Sequence, residues 1–266
     1  MNTIENISIR PVWLKSKEAI WNELFEDRTR FAGGRYDSRL RGNDLRRRLT
    51  LWCYAAAGIL IPLLLVCHFY TVTTETTRGE QTTALLPDGS KVTLNVDGSI
   101  SYKPLEWFVS RKVKLEGEAF FEVKHGSRFC VQSGSNRVYV LGTTFNVYAR
   151  DEMYRVACLS GKVSVQAGGA SAVLSPNMQA TFRKGKLNID NGIAPNVANG
   201  WMQGLFVFVE TPLPEVIAEV ERRYNITVTS DYNPDRLYSG TFAKKEHAEE
   251  VLAIIGKALN VTFSIK

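Results

Sequence analysis

Residues 49–70 read LTLWCYAAAGILIPLLLVCHFY, and none of these 22 side chains carries a fixed charge. A helix rises about 1.5 Å per residue, so a helix of this length matches the hydrocarbon core of a bilayer, about 30 Å thick. The apolar segment of a secretory signal is shorter, about 7 to 15 residues, and no small-residue cleavage pattern follows here. The sequence therefore predicts one membrane-spanning helix that stays in the mature protein. A buried helix of a water-soluble fold is the alternative.

Basic residues are concentrated on the N-terminal side of this stretch. Eight arginines lie between residues 28 and 48, and Arg46, Arg47 and Arg48 directly precede the apolar run. Because Lys and Arg are retained on the cytoplasmic side, this asymmetry predicts a cytoplasmic N-terminus and an external C-terminus, with the three arginines as topology determinants. The net charge of +6 then reflects topology and contact with anionic inner-membrane lipid, so the sequence gives no support for direct nucleic-acid binding.

The segment before the span, residues 1–48, contains one amphipathic helical pattern. Its apolar side chains recur at spacings of three, four and seven residues, and they are Trp13, Leu14, Ile20, Trp21, Leu24 and Phe25. A partner protein, the inner membrane surface or a small helical subdomain could cover this face, and we take the six residues as candidates for partner binding. Residues 31–44 are rich in Gly, Arg and Asp and read as a flexible tether.

The external part begins with a Thr-rich linker at 71–82 and continues with short β-branched and aromatic runs up to residue 191. These runs are separated by turn signals and recur every 8 to 12 residues or so, which predicts an all-β roll or sandwich over 83–191. A second link follows at 192–200. Residues 201–266 then alternate strand and helix patterns in the order βαββαβ, typical of a small α+β domain with two helices on one face of a sheet.

Residue patterns that carry catalysis or bind metals are scarce in this sequence. Ser110 and Ser160, each near a lysine, read as turn residues. The cluster of Glu116, Glu118 and Glu122 reads as a solvated strand edge in preference to an acid/base pair. We therefore expect neither an enzyme nor a cofactor. Two external cysteines, Cys130 and Cys158, are either bridged or two buried thiols.

Several motifs of the external β segment resemble the FecR-like family, the ferric-citrate-regulator type of transmembrane anti-sigma factor. The segments are LPDGSKV at 86–92, LEGEAFFEV at 115–123, VYVLGTTFNV at 138–147, LSGKV at 159–163 and LSP at 174–176. The βαββαβ tail is similar to the extra C-terminal domain of Bacteroidetes members. The resemblance marks as structural motif residues Asp88, Gly89, Gly117, Phe121, Gly142, Thr143, Phe145, Val147 and Gly161.

The resemblance implies a non-catalytic signal relay in the bacterial inner membrane. Members of the family hold an extracytoplasmic-function (ECF) sigma factor inside and contact the signalling domain of a TonB-dependent outer-membrane transporter in the periplasm. Stepwise cleavage by envelope proteases is the transmission step that it suggests. A membrane-tethered envelope protein that binds glycan or peptidoglycan, with no sigma partner, is the alternative function.

Overall fold

The computed structural model of the protein describes residues 18–19, 38–151 and 153–266, without the side chains of 38–46 and 63–67. The chain divides into two compact units, Met1–Leu63 and Leu64–Lys266. Outside the described residues lie the six candidates for partner binding, Trp13, Leu14, Ile20, Trp21, Leu24 and Phe25.

Helix α1 (Ser38–Phe69) begins eleven residues before the predicted span and contains Pro62. Between residues 47 and 62 nearly all of its side chains are exposed, arginines and large apolar residues alike. Among the helices of the described residues, none meets the length and hydropathy expected of a helix that crosses a membrane.

The second unit is built mainly from one thirteen-stranded sheet that folds over into two layers. Its strands are β1 (Val72–Thr76), β2 (Thr82–Leu85), β3 (Lys91–Leu94), β4 (Gly98–Tyr102), β5 (Arg111–Glu122), β6 (Phe129–Ser133), β7 (Asn136–Val140), β8 (Thr144–Arg150), β9 (Met153–Ser160), β10 (Val163–Ala167), β11 (Ala170–Leu174), β12 (Met178–Arg183) and β13 (Lys186–Asn191). A mainly β architecture with few helices is thus confirmed for the part of the chain after residue 71.

Strand β5 belongs to both layers, which makes it the centre of the fold. Its first half lies in the first sheet, in the order β1-β4-β5-β6-β7-β10-β11, where the β5–β6 pair is parallel. Its second half lies in the second sheet, in the order β2-β3-β5-β8-β9-β12-β13. Gly117 stands between the halves with φ +96°, and a Cβ there would lie 2.8 Å from the Cα of Gly98. Only glycine fits such a conformation and so close a backbone.

One apolar core fills the space between the two sheets. Phe121 on β5 stacks on Phe145 at 5.0 Å between ring centroids and meets Phe129 edge-on at 6.3 Å. Trp107 extends this aromatic row from the far side of Phe129. Val147 lies in the same core. Alternate side chains of both sheets therefore pack inward, as expected for a β-sandwich.

Both predicted linkers contain regular structure. Within 71–82, alternate residues of β1 are half-buried and the strand pairs with β4. A threonine-rich composition is typical of linkers, but threonine is also a good strand former. Within 192–200, Pro195–Asn199 forms a short helix, α2, and a 3₁₀ turn follows at Gly200–Gln203. Buried Ala198 and Trp201 fix this segment against its surroundings.

The C-terminal part follows the predicted βαββαβ order with β14 (Leu205–Pro212), α3 (Leu213–Tyr224), β15 (Val228–Thr229), β16 (Leu237–Ala243), α4 (Ala248–Leu259) and β17 (Ser264–Ile265). The expected single sheet is instead two pairs, β14 with β16 and β15 with β17, since β15 and β17 are only two residues long. Their core is separate from that of the sandwich, and it includes Phe206, Val216, Val220 and Ile255. Before α3, the hydroxyl of Thr211 bonds to the backbone N–H and carbonyl of Val209, at 3.2 and 3.3 Å.

Candidate functional site

The outer face of the second sheet carries polar side chains that are buried, although they point away from the core. They are covered by α2, by the 3₁₀ turn and by α3, so this face is where the C-terminal part docks on the sandwich. We call the following set the polar junction: Asn95, Glu118, Asn146, Tyr148, Arg150, Trp201, Glu219, Arg222 and Arg223.

Glu118 occupies the sheet side of the junction and is only 8% exposed. The amide groups of Asn95 and Asn146 donate hydrogen bonds to its two carboxylate oxygens, at 2.7 and 2.8 Å. Each amide oxygen is itself occupied: that of Asn95 accepts from Gln81, and that of Asn146 accepts from the indole of Trp201 at 3.2 Å. Both amide side chains are therefore fixed with their donors toward Glu118.

The charge of Glu118 is disfavoured despite these two donors. Burial raises the pKa of its carboxyl above the ordinary 4.5, and the nearby negative charge of Glu219 raises it further. The hydrogen bonds from Asn146 and Asn95 and the charge of Arg150 act in the opposite direction but do not cancel the rise. Glu118 is thus a buried carboxyl group that takes up a proton more readily than an exposed one.

The pKa of Glu219, on α3, is shifted in the opposite direction from that of Glu118. Burial alone would raise the pKa of its carboxyl, but Arg223, Arg222 and Arg150 together bring it below the ordinary value. The two helix neighbours bind it directly, Arg222 Nη2 at 2.9 Å and Arg223 Nε at 2.7 Å. Removing one partner from so buried an ion pair typically costs about 3 to 5 kcal/mol.

Further contacts tie this cluster to the sheet. Arg222 Nη2 lies 3.5 Å from the hydroxyl of Tyr148, whose pKa burial raises. At the edge, Arg155 of β9 pairs with Glu215 of α3 at 3.4 Å. The backbone N–H of Gly79 donates to the carbonyl of Arg222 at 2.9 Å. A cavity of about 60 Å³ lies among Glu118, Asn146 and Glu219.

The motif residues of the Pro-Asp-Gly-Ser turn form a second polar cluster. Asp88 pairs with Arg111, which is 7% exposed and also donates to the carbonyls of Ser127 and Lys124 at 2.6 and 2.9 Å. Burial acts to raise the pKa of Asp88, but hydrogen bonds from Ser90 and Arg111 lower it overall. Gly89 follows with φ +75°, as its turn requires.

Three further motif residues lie in adjoining loops. A Cβ at Gly142 would lie 2.7 Å from the Cα of His125, so the two loops touch through backbone. The hydroxyl of Thr143 donates to the carbonyl of Lys162 at 3.1 Å, and Gly161 packs against Thr143 with φ +76°. These residues therefore close the loops of the sandwich.

Cys130 and Cys158 are free thiols. Burial raises the pKa of Cys130, and it raises that of Cys158 to about 11. Cys158 is buried in the sandwich core and Cys130 is half-buried. Of the two alternatives that the sequence allowed, the structure has the unbridged one. In the part of the chain that the structure describes, no cluster of His, Cys, Asp or Glu could hold a metal ion.

Two family models match the chain. Residues 72–164 match the family described as FecR protein, and residues 205–266 match the family described as FecR, C-terminal. The chain belongs to the FecR-like family of anti-sigma factors. Two crystal structures of a candidate anti-sigma factor from Parabacteroides distasonis, at 1.65 and 2.50 Å, are similar to this FecR-like chain at 31% identity and a TM-score of 0.69. They cover 73% and 74% of this chain and 95% of their own. No curated protein matches.

Membership establishes the general role of this FecR-like chain. The solved relatives are described as anti-sigma factors, so the family to which this chain belongs is one of sigma regulators. The match also places the junction in a family context, since its sheet residues fall within 72–164 and its helix residues within 205–266.

Sequence reasoning missed most of the junction in this FecR-like chain. Glu118 alternates with core residues on β5, and that pattern reads as a solvent-facing carboxylate. Arg222 and Arg223 read as the polar face of α3, yet both are buried. One signal in the sequence could have indicated a covered outer face. On β8, Asn146 and Tyr148 alternate with core positions, so large polar and aromatic side chains lie on the outer face.

Proposed function

We propose that this FecR-like chain is a single-pass inner-membrane regulator that relays a signal from a TonB-dependent outer-membrane transporter to an ECF sigma factor. The observation that carries the proposal is the order along the chain: a basic segment, an apolar helix, and then the two matched FecR regions. Such an order suits a protein whose receiving part and sigma-binding part lie on opposite sides of a membrane. Transcription of uptake genes would be the process controlled.

The apolar surface of α1 supports membrane insertion of residues 49–70. Trp52, Tyr54 and Ile59 are 71 to 75% exposed, and Leu49, Leu51, Leu60 and Ile61 are exposed as well. Apolar patches of this size on soluble proteins are covered by a partner or by lipid. Arg47 and Arg48 are exposed at the N-terminal side of the run, where they would face inner-leaflet headgroups.

The remaining boundaries of the proposal follow from the sequence. Residues 1–48 would form the cytoplasmic sigma-binding segment, and 83–191 and 201–266 the two periplasmic domains, with 71–82 and 192–200 between them. The polar junction supports joint action of the two external domains, because charged groups buried at their contact fix one docking geometry. A transporter signalling domain that binds either one would therefore act on both.

Transmission by proteolysis fits the composition of the span. Pro62 lies inside α1, and an added Cβ at Gly58 would meet open space, so this part of the helix has a missing hydrogen-bond donor and little packing around it. A helix that unwinds easily is a better substrate for an intramembrane protease than a tightly packed one.

A pull-down tests the cytoplasmic half of the proposal. Full-length chain purified in detergent, with a C-terminal tag, is incubated with the ECF sigma factors of its host. We expect wild type and Glu23→Ala, which alters a polar position of the helix predicted for residues 13–25, to retain one sigma factor equally. Trp21→Ala should reduce recovery by about tenfold or more, since buried tryptophans contribute about 2 kcal/mol or more to helix-in-groove binding. Equal recovery of sigma with all three chains would remove residues 13–25 from the proposal.

A further inference from the structure

The loop between β4 and β5 displays large apolar side chains to the outside. Phe108 is 98% exposed, Val109 is 94% exposed and Leu105 is 53% exposed. Soluble surfaces normally expose such side chains singly, and a cluster of three within five residues marks a contact site.

Backbone hydrogen bonds and one buried side chain fix the conformation of this loop. Residues Pro104–Glu106 form a 3₁₀ turn, and the N–H groups of Val109 and Ser110 both donate to the carbonyl of Glu106, at 3.0 and 2.9 Å. Between the exposed side chains, Trp107 turns inward and packs edge-on against Tyr102 and Phe129. Anchoring of Trp107 in the core holds Phe108 and Val109 outward.

Helix α1 ends directly beside this loop. His68 Nδ1 lies 2.9 Å from the Oε1 atom of Glu106, and the same carboxylate accepts from Lys103 Nζ at 3.1 Å. The next residues after His68, Phe69 and Tyr70, are exposed aromatic residues of the kind that lie at membrane interfaces.

Basic side chains surround the loop on the sheet side. A groove of about 280 Å³ is lined by Thr71 at the start of the external part and by Lys103, Lys112 and Lys114. Lys112 and Lys114 are exposed on alternate positions of β5. Glu106 lines the same groove and pairs with Lys103, so the three lysines leave a net positive charge beside the exposed apolar loop. A net positive groove next to apolar side chains matches the headgroup and acyl layers of an anionic membrane.

We propose that the loop 104–110 inserts into the outer leaflet of the same membrane that residues 49–70 span, with Leu105, Phe108 and Val109 in the acyl region and the three lysines at anionic phospholipid headgroups. The inference rests on the proposed membrane span, because the span places His68, and with it Glu106, at the depth of the interface. The sandwich is then held to the bilayer at two neighbouring points, and its orientation relative to the membrane is restricted.

Photocrosslinking in vesicles tests the inference. The photoreactive residue p-benzoylphenylalanine replaces Phe69, Phe108 or Val209 in separate full-length chains reconstituted in vesicles of phosphatidylcholine and phosphatidylglycerol. Val209 is 59% exposed on β14 and serves as the matched apolar control. We expect lipid adducts at 69 and 108, with at least about fivefold more at 108 than at 209, as for a side chain in the acyl region.

The position 69 separates the two hypotheses. Lipid adducts at 69 with equal yields at 108 and 209 would overturn the loop insertion and leave the span intact. Absence of adducts at 69 would overturn the span itself, whatever position 108 gives.

A charge variant tests the role of the lysines. Lys103→Gln, Lys112→Gln and Lys114→Gln together should lower the lipid yield at 108 several-fold in vesicles with phosphatidylglycerol and leave it unchanged in pure phosphatidylcholine. The matched control replaces Lys184, Lys186 and Lys257, which are exposed elsewhere. Equal yields from the two triple variants would overturn the electrostatic part of the inference.

Discussion

Burial of the Glu118 carboxylate carries a desolvation cost, and its neighbours reduce that cost without removing it. The amide groups of Asn95 and Asn146 donate to its carboxylate, and the oxygen of each amide accepts a hydrogen bond from a donor behind it, Gln81 or the indole of Trp201. No lysine or arginine bonds directly to it in the described part of the chain. Burial therefore dominates, and the pKa of Glu118 stays raised.

The raised pKa gives a pH prediction. Because the folded state binds this proton more tightly than the unfolded state, the stability contributed by Glu118 is fully present below the ordinary pKa of 4.5 and is lost as pH rises through the folded value. The same sign applies to Glu215, whose pKa burial also raises. Glu219 has a lowered pKa, so the stability that its charge contributes is lost only as pH falls below 4.5. Wild-type melting temperature should therefore decrease as pH rises above 4.5 and Glu118 loses its proton in the folded state.

Glu118→Gln removes the titration and should flatten that decrease, measured by thermal unfolding of the full chain in detergent with tryptophan fluorescence. The matched control is Glu116→Gln, an exposed position two residues earlier on β5. Its melting temperatures should follow the wild-type slope. Parallel slopes for the two variants would show that Glu118 does not titrate in this range.

Strand β5 is the element on which the sandwich depends, because one strand serves both sheets. The change of sheet requires the chain to bend between Glu116 and Glu118, and Gly117 provides the bend with φ +96°. Strands that turn a corner commonly do so at glycine.

Gly117→Ala should destabilise the chain by about 2 to 3 kcal/mol, because the new Cβ combines a disfavoured φ with a clash at 2.8 Å against the Cα of Gly98. Gly134→Ala is the matched control: its φ is also positive, +57°, but nothing lies within 4 Å of the added Cβ. It should cost about 1 kcal/mol. Urea unfolding followed by tryptophan fluorescence measures both. If the two variants lose equal stability, the close packing at Gly117 is not what constrains the bend.

At the scale of elements, periodicity was enough to predict the all-β character of residues 83–191 and the βαββαβ order of the tail. Both depend on short-range patterns: apolar and polar residues alternate along a strand, and apolar residues recur at three- and four-residue spacing along a helix. The strand β1 was missed because its pairing with β4 depends on residues more than twenty positions away. The pairing of β15 with β17 outside the β14–β16 sheet is likewise set by tertiary packing.

The junction could not be predicted for the same reason. Glu118 and Glu219 are about a hundred residues apart, and each pattern taken alone favours solvent exposure. Burial of Glu118 comes from the docking of Trp201, α2 and α3, which no window of the sequence contains. By contrast, Asp88, Gly89 and Gly142 could be identified from the sequence, because they belong to the family motifs and lie in turns and loops whose geometry is local.

At the scale of the whole molecule, the relay requires the two ends of the chain to lie in different compartments. The arginines before residue 49 set the proposed orientation, and few charges follow the span: Glu75, Arg78 and Glu80. A soluble chain could still bind sigma factors, but contact with a periplasmic partner would then have no route to it.

Fusion reporters test this orientation directly. Alkaline phosphatase joined after residue 82 should be active, and a green fluorescent protein joined there should stay dark, because the former folds only outside and the latter only inside. Replacing Arg46, Arg47 and Arg48 together with Gln should lower the phosphatase activity of the fusion, since the positive-inside bias weakens at the residues closest to the span. Arg78→Gln, on the other side of the span, should leave the activity unchanged. A fluorescent fusion after residue 82 with inactive phosphatase would place the FecR-like region in the cytoplasm and refute the relay.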